Sequence, residues 1–289
     1  MPWKLYIDSR KRVAGASGDT DTAFTVQLPR PITVSGKAYI DVVLCPNSWY
    51  LIRAGETNRL YISETQNDVK RVVFLAPGQY QSVHDLATAC QFALNQNKGI
   101  PGTYVCQYKK ELNRMCIGIT GSTTTSDKFL IWSDKDVAGA ITSWVGVSNF
   151  TGPYWGTASA TDMQSANRAM GFMKPGILTG TFSADVTAPN ACNVQPYTQL
   201  FIRSNLGGGS AESLGVNGES DIVRRIVIGS TPLNDTVYDI HSQAHDHVQI
   251  SGVREFNNFW FEIIDINGRI VDSHGLPISF SIIFEDMTL

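Results

Sequence analysis

"NFWFEIIDINGRIVDSHGLPISFSIIFE", residues 258–285, holds two apolar runs separated by a turn signal. In "NFWFEIIDI" (258–266), Phe259, Phe261 and Ile263 recur every second residue, and in "PISFSIIFE" (277–285) Phe280 and Ile282 do the same. A period of two places such residues on one face of a strand, where a helix would need 3.6. Asn267-Gly268 tolerates the positive φ of a type I′ turn, so the stretch predicts a β-hairpin.

The same pattern recurs at both ends of the chain. "KLYIDSR" (4–10) alternates with Leu5 and Ile7 on one face, and "AFTVQLPRPITV" (23–34) does so with Phe24, Val26 and Leu28. Its two prolines suit an edge strand or a bend. "AYIDVVLCP" (38–46) is nearly continuously apolar and predicts burial on both faces. "QLFIRS" (199–204), "DIVRRIVIG" (221–229) and "HVQISG" (247–252) complete about eight strands in two blocks, 1–54 and 191–289. The expected core is Ile7, Val26, Val42, Leu44, Ile226, Ile228, Phe259, Phe261, Ile263, Phe280 and Ile282.

Between the blocks the pattern changes. "NRLYISE" and "KRVVFLAPG" predict a hairpin around "TQND". "SVHDLATACQFALNQNKG" (82–99) predicts a helix with Ser82 as N-cap, Asp85 completing a capping box, and Val83, Leu86, Cys90 and Leu94 as the buried stripe. Gly99 followed by Pro101 is read as its end. A second hairpin, "TYVCQYKKELNRMCIGIT" (103–120), and a strand, "KFLIWSD" (128–134), follow. The stretch 139–191 is rich in Gly, Ser, Thr and Ala and has little periodicity. The fold class expected is all-β: a single jelly-roll β-sandwich, 1–54 and 191–289, carrying a small α+β insertion at 55–190. Insertions are tolerated where the host's two chain ends lie close together on its surface.

Composition narrows the function. The 289 residues are 43% hydrophobic and 17% charged, with 23 basic and 26 acidic side chains and a net charge of -3. A chain of this size buries roughly 75% of its unfolded surface. A protein that coats nucleic acid needs a basic excess, so strong nucleic-acid binding is not expected. The run Arg10-Lys11-Arg12 is too short to change that. No secretory leader is expected from "MPWKLYIDSR", and no stretch reaches the roughly 18 apolar residues of a membrane span. The five cysteines form no C-x-x-C pair and read as free thiols of a reducing compartment. A disulfide between Cys106 and Cys116 across the hairpin is the lesser alternative, and the sequons at Asn149 and Asn234 are expected to be unused.

Catalytic motifs are missing: there is no phosphate loop, no H-E-x-x-H and no G-x-S-x-G. The glycine run "NLGGGSAESLG" (205–215) precedes neither helix nor lysine and reads as a loop. "DKD" (134–136) and "DIVRR" read as solvated charge clusters. Glu262 and Asp265 have an odd spacing that puts them on opposite faces of a strand. "DIHSQAHDHVQI" (239–250) gathers Asp239, His241, His245 and His247, the residue types a zinc ion would take. The competing reading is a polar inter-strand loop; the cluster's response to ions or pH is left open by sequence. No catalytic residue, cofactor or metal site is assigned, and the chain is not expected to be an enzyme. "WVGVSNFTGPYW" (144–155), with Trp144, Tyr154 and Trp155, is either module core or a platform for a sugar or receptor.

The order of several segments resembles one family. "LYIDSRKR", "FTVQLPRPI" and "AYIDVVLCPNSWY" are similar to the opening of penton (vertex capsid) proteins of virophages, Polinton-like viruses and related double-jelly-roll DNA viruses. "PGQYQSVHDLATACQFAL" with "YVCQYKKELNRMCIGI", then "LFIRSNLG" and "FWFEIIDINGRIVDSHGLPISFSIIFED", continue the resemblance over roughly two thirds of the chain, with 135–195 matching poorly. The resemblance implies a structural protein of the icosahedral virion, made in the host cytoplasm or viral factory, that forms a homopentamer at the fivefold vertex. Its expected partners are four further copies of itself, neighbouring trimers of the major capsid protein, minor capsid proteins, and a host receptor or glycan reached through the insertion. The alternative is a glycan- or receptor-binding β-sandwich module of a spike.

Overall fold

The computed structural model describes residues 2–13, 19–64, 69–122, 127–139, 165–173, 176–207, 221–229, 234–240, 248–266 and 268–288. In chain order the elements are β1 (Trp3–Asp8), β2 (Ala23–Pro46), β3 (Arg59–Glu64), β4 (Val69–Phe74), α1 (Val83–Asn95), β5 (Thr103–Lys109), β6 (Arg114–Thr120), β7 (Lys128–Trp132), α2 (Asp134–Gly139) and α3 (Asn167–Met170). They continue with β8 (Leu178–Thr181), β9 (Val186–Thr187), β10 (Gln199–Ser204), β11 (Ile222–Val227), β12 (Thr236–Asp239), β13 (Val248–Ile264) and β14 (Ser279–Thr288). The chain divides into two compact units, one of Met1–Trp49 with Tyr197–Leu289 and one of Tyr50–Pro196.

The first unit is an all-β jelly-roll body built around β2. Its antiparallel sheet runs β1-β14-β2-β13-β10-β11, and β12 also pairs with β2. Long strands must bend to enclose a core, and they bend at register breaks. At one break Gly36 and Gly252 both have positive φ, a conformation that costs glycine nothing. At another, β2 advances from Gln27 to Ile32 while β13 moves only from Asn258 to Phe256. Pro29 and Pro31 fall in that break, where no ladder N–H is required. The curled sheet closes on one cluster that includes Phe24, Ile40, Trp49, Leu200, Ile226, Phe259, Phe261, Phe280 and Phe284. Its rings are in direct contact, Phe261 meeting Phe280 edge-on at 4.8 Å and Phe24 at 5.6 Å.

Three expectations need correction here. Gly268 does lie in a turn, and Asn267 is outside the described residues: Gly268 has φ 78°, its N–H donates to Asp265 O, and Val271 N–H donates to Ile263 O at 2.9 Å. The local ladder stops there, however, and β14 pairs with β2 and β1, not with β13. Both edges of β13 are already taken by β2 and β10, and His274 and Gly275, both at positive φ, redirect the chain. Secondly, "AYIDVVLCP" is buried on one face only. Ala38 and Ile40 point inward, then Val43 and Cys45 do, because β2 carries one extra residue where Ile40 faces Ile282 and Val43 faces Phe280. That bulge turns Val42 and Leu44 outward, against the core expected for them, and Val26 is only partly buried at the core margin. Thirdly, "DIVRR" is no solvated cluster: Arg224 is buried and its Nη2 donates to Asp239 Oδ1 at 2.8 Å.

The second unit holds two small sheets, β4-β3-β7-β8 and β5-β6-β9, with α1 contributing to their shared core. The hairpins β3–β4 and β5–β6 form in the expected segments. Ser82 and Asp85 make the full capping box, and Leu86, Cys90 and Leu94 are buried. The helix ends at Asn95, earlier than Gly99, as Asn97 turns into the left-handed region. Gly99 has another role: a Cβ there would stand 2.8 Å from Glu64 Oε2. Buried Glu64 accepts hydrogen bonds from Gly99 N–H, from Arg71 Nη2 at 2.8 Å and from Tyr104 Oη at 2.8 Å, joining β3, β4, β5 and the segment after α1. "DKD" is not a wholly solvated cluster either. Asp134 is buried and accepts from Asn167 Nδ2, while Asp136 accepts from Gly176 N–H. Burial pushes the Asp134 carboxyl up to about 6. All five cysteines are free and buried. Cys106 faces Ile117 and Cys116 faces Gln107, so the two thiols leave opposite faces of their hairpin.

Candidate assembly surfaces

The register of the first unit determines what its outer side presents. Tyr238 on β12 lies opposite Leu44 on β2; across β2, Leu44 lies opposite Ser279 on β14, and Ser279 opposite Asp8 on β1. Two residues along β1 from Asp8, Tyr6 lies opposite Ser281. Tyr6 is 76% exposed, Tyr238 61% and Leu44 39%, and Ile240, just beyond β12, is exposed as well. The bulge at Asp41-Val42 puts Leu44 in this row; without it Leu44 would face the core. Lys4 reaches from β1 to Asp41 on β2 at 2.8 Å, and its Nζ stands 5.4 Å from the Tyr6 ring centroid. The hydrogen bond to Asp41 holds the Lys4 ammonium above its usual range. An exposed pair of this kind contributes little to stability, but it fixes the Lys4 side chain beside Tyr6.

A chemically different surface lies on the outer side of β10 and β13. Arg203 Nη1 donates to Glu262 Oε2 at 2.9 Å, and its guanidinium carbon stands 5.8 Å from the Trp260 ring centroid. Asn205 Oδ1 accepts from the Trp260 backbone N–H, and its Nδ2 donates to Asn258 O, tying the end of β10 to β13. Glu262 pairs with Arg203, and Asp265, just beyond the end of β13, accepts from Arg269 N–H.

The basic run is largely neutralised. Arg10 Nη2 meets Asp8 Oδ2 at 2.6 Å and Arg12 Nη1 meets Asp21 Oδ1 at 2.6 Å. Hydrogen bonding from Arg10 lowers the Asp8 carboxyl below its ordinary range. Two of the three cations are therefore held by carboxylates.

Of the histidine-rich stretch, Asp239 is engaged in the buried pair with Arg224 and also accepts from Val227 N–H. His241, His245 and His247 lie outside the described residues, as do Trp144, Asn149, Tyr154, Trp155 and most of the glycine run. Among the described residues, no three His, Cys, Asp or Glu side chains are grouped so as to hold a metal ion. Tyr6, Leu44 and Tyr238 were not legible as surface candidates: Tyr6 reads as an ordinary strand residue, Leu44 as core, and Tyr238 falls outside every expected strand. The available signal was Tyr6 itself, an aromatic residue out of phase with Leu5 and Ile7.

No protein-family model and no curated protein matches the chain. Among solved structures it is similar to the mavirus penton protein, in a crystal structure of the selenomethionine-labelled protein. The TM-score is 0.46 at 12% identity, covering 99% of each chain. It is also similar to a chain of the Sputnik virophage, solved by electron cryo-microscopy at 3.5 Å, with TM-score 0.40 at 13% identity over 97% of each chain.

Proposed function

We propose that the chain is a structural capsid protein, a penton whose jelly-roll unit closes into a ring of five at the vertices of an icosahedral virion. The observation that carries this reading is the pair of unlike outer surfaces on the jelly-roll body. One is the Tyr6, Leu44, Tyr238 and Ile240 face; the other is the Arg203–Trp260–Glu262 face. A cyclic array of an odd number of copies needs heterologous contacts, in which one surface meets a different one. Tyrosine, tryptophan and arginine are the side chains enriched at such contacts, and each contact needs about 1,000 Å² of total buried surface to be specific. Of the motifs that resemble pentons, "LYIDSRKR", "FTVQLPRPI", "LFIRSNLG" and the closing stretch lie on this same body, and neutralisation of Arg10 and Arg12 suits a shell component that does not grip nucleic acid everywhere. Under this reading, trimers of the major capsid protein are its outer neighbours. The unit Tyr50–Pro196 is then an insertion carried by the jelly roll, within which sequence patterning marks 55–190. The glycan-binding alternative rests on residues 144–155, and a glycan array tests it.

The deciding experiment is light scattering on a sizing column, together with fractionation of particles. The expected result is a species of five chains, or incorporation into particles at about sixty copies each. A chain that stays monomeric and is absent from purified particles overturns the reading.

A further inference from the structure

The second unit carries a groove of about 600 Å³ between β4 and α1. That is within the roughly 300–1,000 Å³ range of clefts that take ligands. One wall is β4 and its continuation to Pro77; the other is a stripe of the helix, Ala89, Phe92, Ala93 and Gln96, spaced i, i+3, i+4 and i+7. This stripe is adjacent to the one that faces the core, and two alanines make it shallow. Phe92 is 70% exposed and Phe74, on the opposite wall, 60%.

The strand wall is a sheet edge. Among the described strands β4 pairs with β3 alone. Leu75 N–H donates to Asn58 O, and these two residues stand opposite each other in the β3–β4 register. In an antiparallel pair the inward-bonded positions alternate, so Leu75, Val73 and Arg71 direct their backbone groups to β3. Val72 and Phe74 therefore direct their N–H and C=O groups outward, away from β3. The edge carries no proline and is not covered by another described strand; Lys70 and Arg71 are its charged residues.

Charge selects what would lie there. Among the described residues Arg71 is the only charged one lining the groove, and its guanidinium is anchored to Glu64 and to the Leu94 and Gln96 carbonyls. Among the described residues no acidic side chain lines it. A second copy of β4, "VKRVVF", would add two cations and no anion, so self-pairing is disfavoured.

We propose that this groove binds an extended segment of a partner protein. The segment adds to β4 as a fifth strand, with apolar side chains on its helix-facing side beside Phe92 and on its other side beside Phe74, and with no cationic ones. Main-chain hydrogen bonds from Val72 and Phe74 supply affinity, and the alternate pockets supply selectivity. A helix would leave those backbone groups unmet. The inference concerns the second unit and does not depend on the penton reading.

The test uses the full chain and a synthetic peptide, acetyl-TVTFDVT-amide, with amide NMR as the readout. Expected are saturable shifts concentrated at Val72, Phe74, Ala89 and Phe92. Two variants and one modified peptide each lower affinity at least about tenfold, or 1.4 kcal/mol. Val72→Pro removes an outward N–H; Phe92→Asp sits on an exposed helix position and keeps the fold; peptide N-methylation along the edge that meets β4 blocks the ladder. The inference is overturned by no shifts at about 1 mM peptide, by shifts centred elsewhere, or by unchanged binding to Phe92→Asp and to Val72→Pro. Peptide-independent dimerisation abolished by Val72→Pro would assign the edge to a second copy and likewise overturn it.

Discussion

Arg224 and Asp239 form an ion pair at 2.8 Å inside the jelly-roll unit, with both side chains almost fully removed from solvent. Asp239 Oδ2 also accepts from Val227 N–H, so the carboxylate joins β12 to β11 at two points. Removing one member leaves a buried charge without its partner. Arg224→Met alone and Asp239→Asn alone should each lower unfolding free energy by about 3–5 kcal/mol. The double variant Arg224→Met/Asp239→Leu should recover most of the loss. Urea denaturation of the three proteins checks this, and a double variant no better than the singles would refute it.

Leu44 and Ile263 belong to the same sheet system yet should respond oppositely to charge. Ile263→Asp buries an ion without a partner and should cost several kcal/mol. Leu44→Asp lies on the outer side and should change monomer stability by no more than about 0.5 kcal/mol, while weakening assembly. Melting curves together with sizing runs separate the two effects; a Leu44→Asp protein that assembles normally would remove this face from the proposed ring contact.

Asp134 makes the second unit sensitive to pH. Burial raises its folded pKa to about 6, against an ordinary value of 3.8, so folding favours the protonated carboxyl. Its stabilising contribution is full below the unfolded value and is lost as pH rises through about 6. A shift of this size corresponds to about 3 kcal/mol between pH 3 and pH 8. Asp134→Asn should flatten the dependence and raise stability at neutral pH, which thermal melts across that range would show.

Gly99→Ala should destabilise the second unit by about 1–3 kcal/mol. The added methyl meets Glu64 Oε2 at 2.8 Å and displaces the carboxylate that collects Arg71 and Tyr104. Restored stability in Gly99→Ala/Glu64→Gln would not fit this account, because the glutamine is no smaller than the acid and loses the Arg71 charge pair.

Local chemistry was legible where a short stretch determines its own outcome. Ser82 and Asp85 announce the capping box, and the two-residue period announces Phe259, Phe261 and Ile263 as core. What stayed hidden is set by distant partners. The bulge at Asp41-Val42 exists because Ile282 and Phe280 fix the β14 register, and no local signal in "AYIDVVLCP" reports it. For the same reason the turn expected around Gly268 forms while the strand pairing expected after it does not, since β2 competes for β14. Arg224 and Asp134 read as surface charges because their partners, Asp239 and Asn167, are 15 and 33 residues away.

The sequence separations within β2 also bear on synthesis. Its hydrogen-bonded neighbours are β12, β13 and β14, the nearest of which begins at Thr236. While the ribosome is still making the middle of the polypeptide, the 24 residues from Ala23 to Pro46 have none of these strands to pair with. The contiguous unit Tyr50–Pro196 can fold during that interval. A nascent chain stalled before residue 236 would therefore present an unsatisfied apolar ribbon, the natural substrate for a holding chaperone.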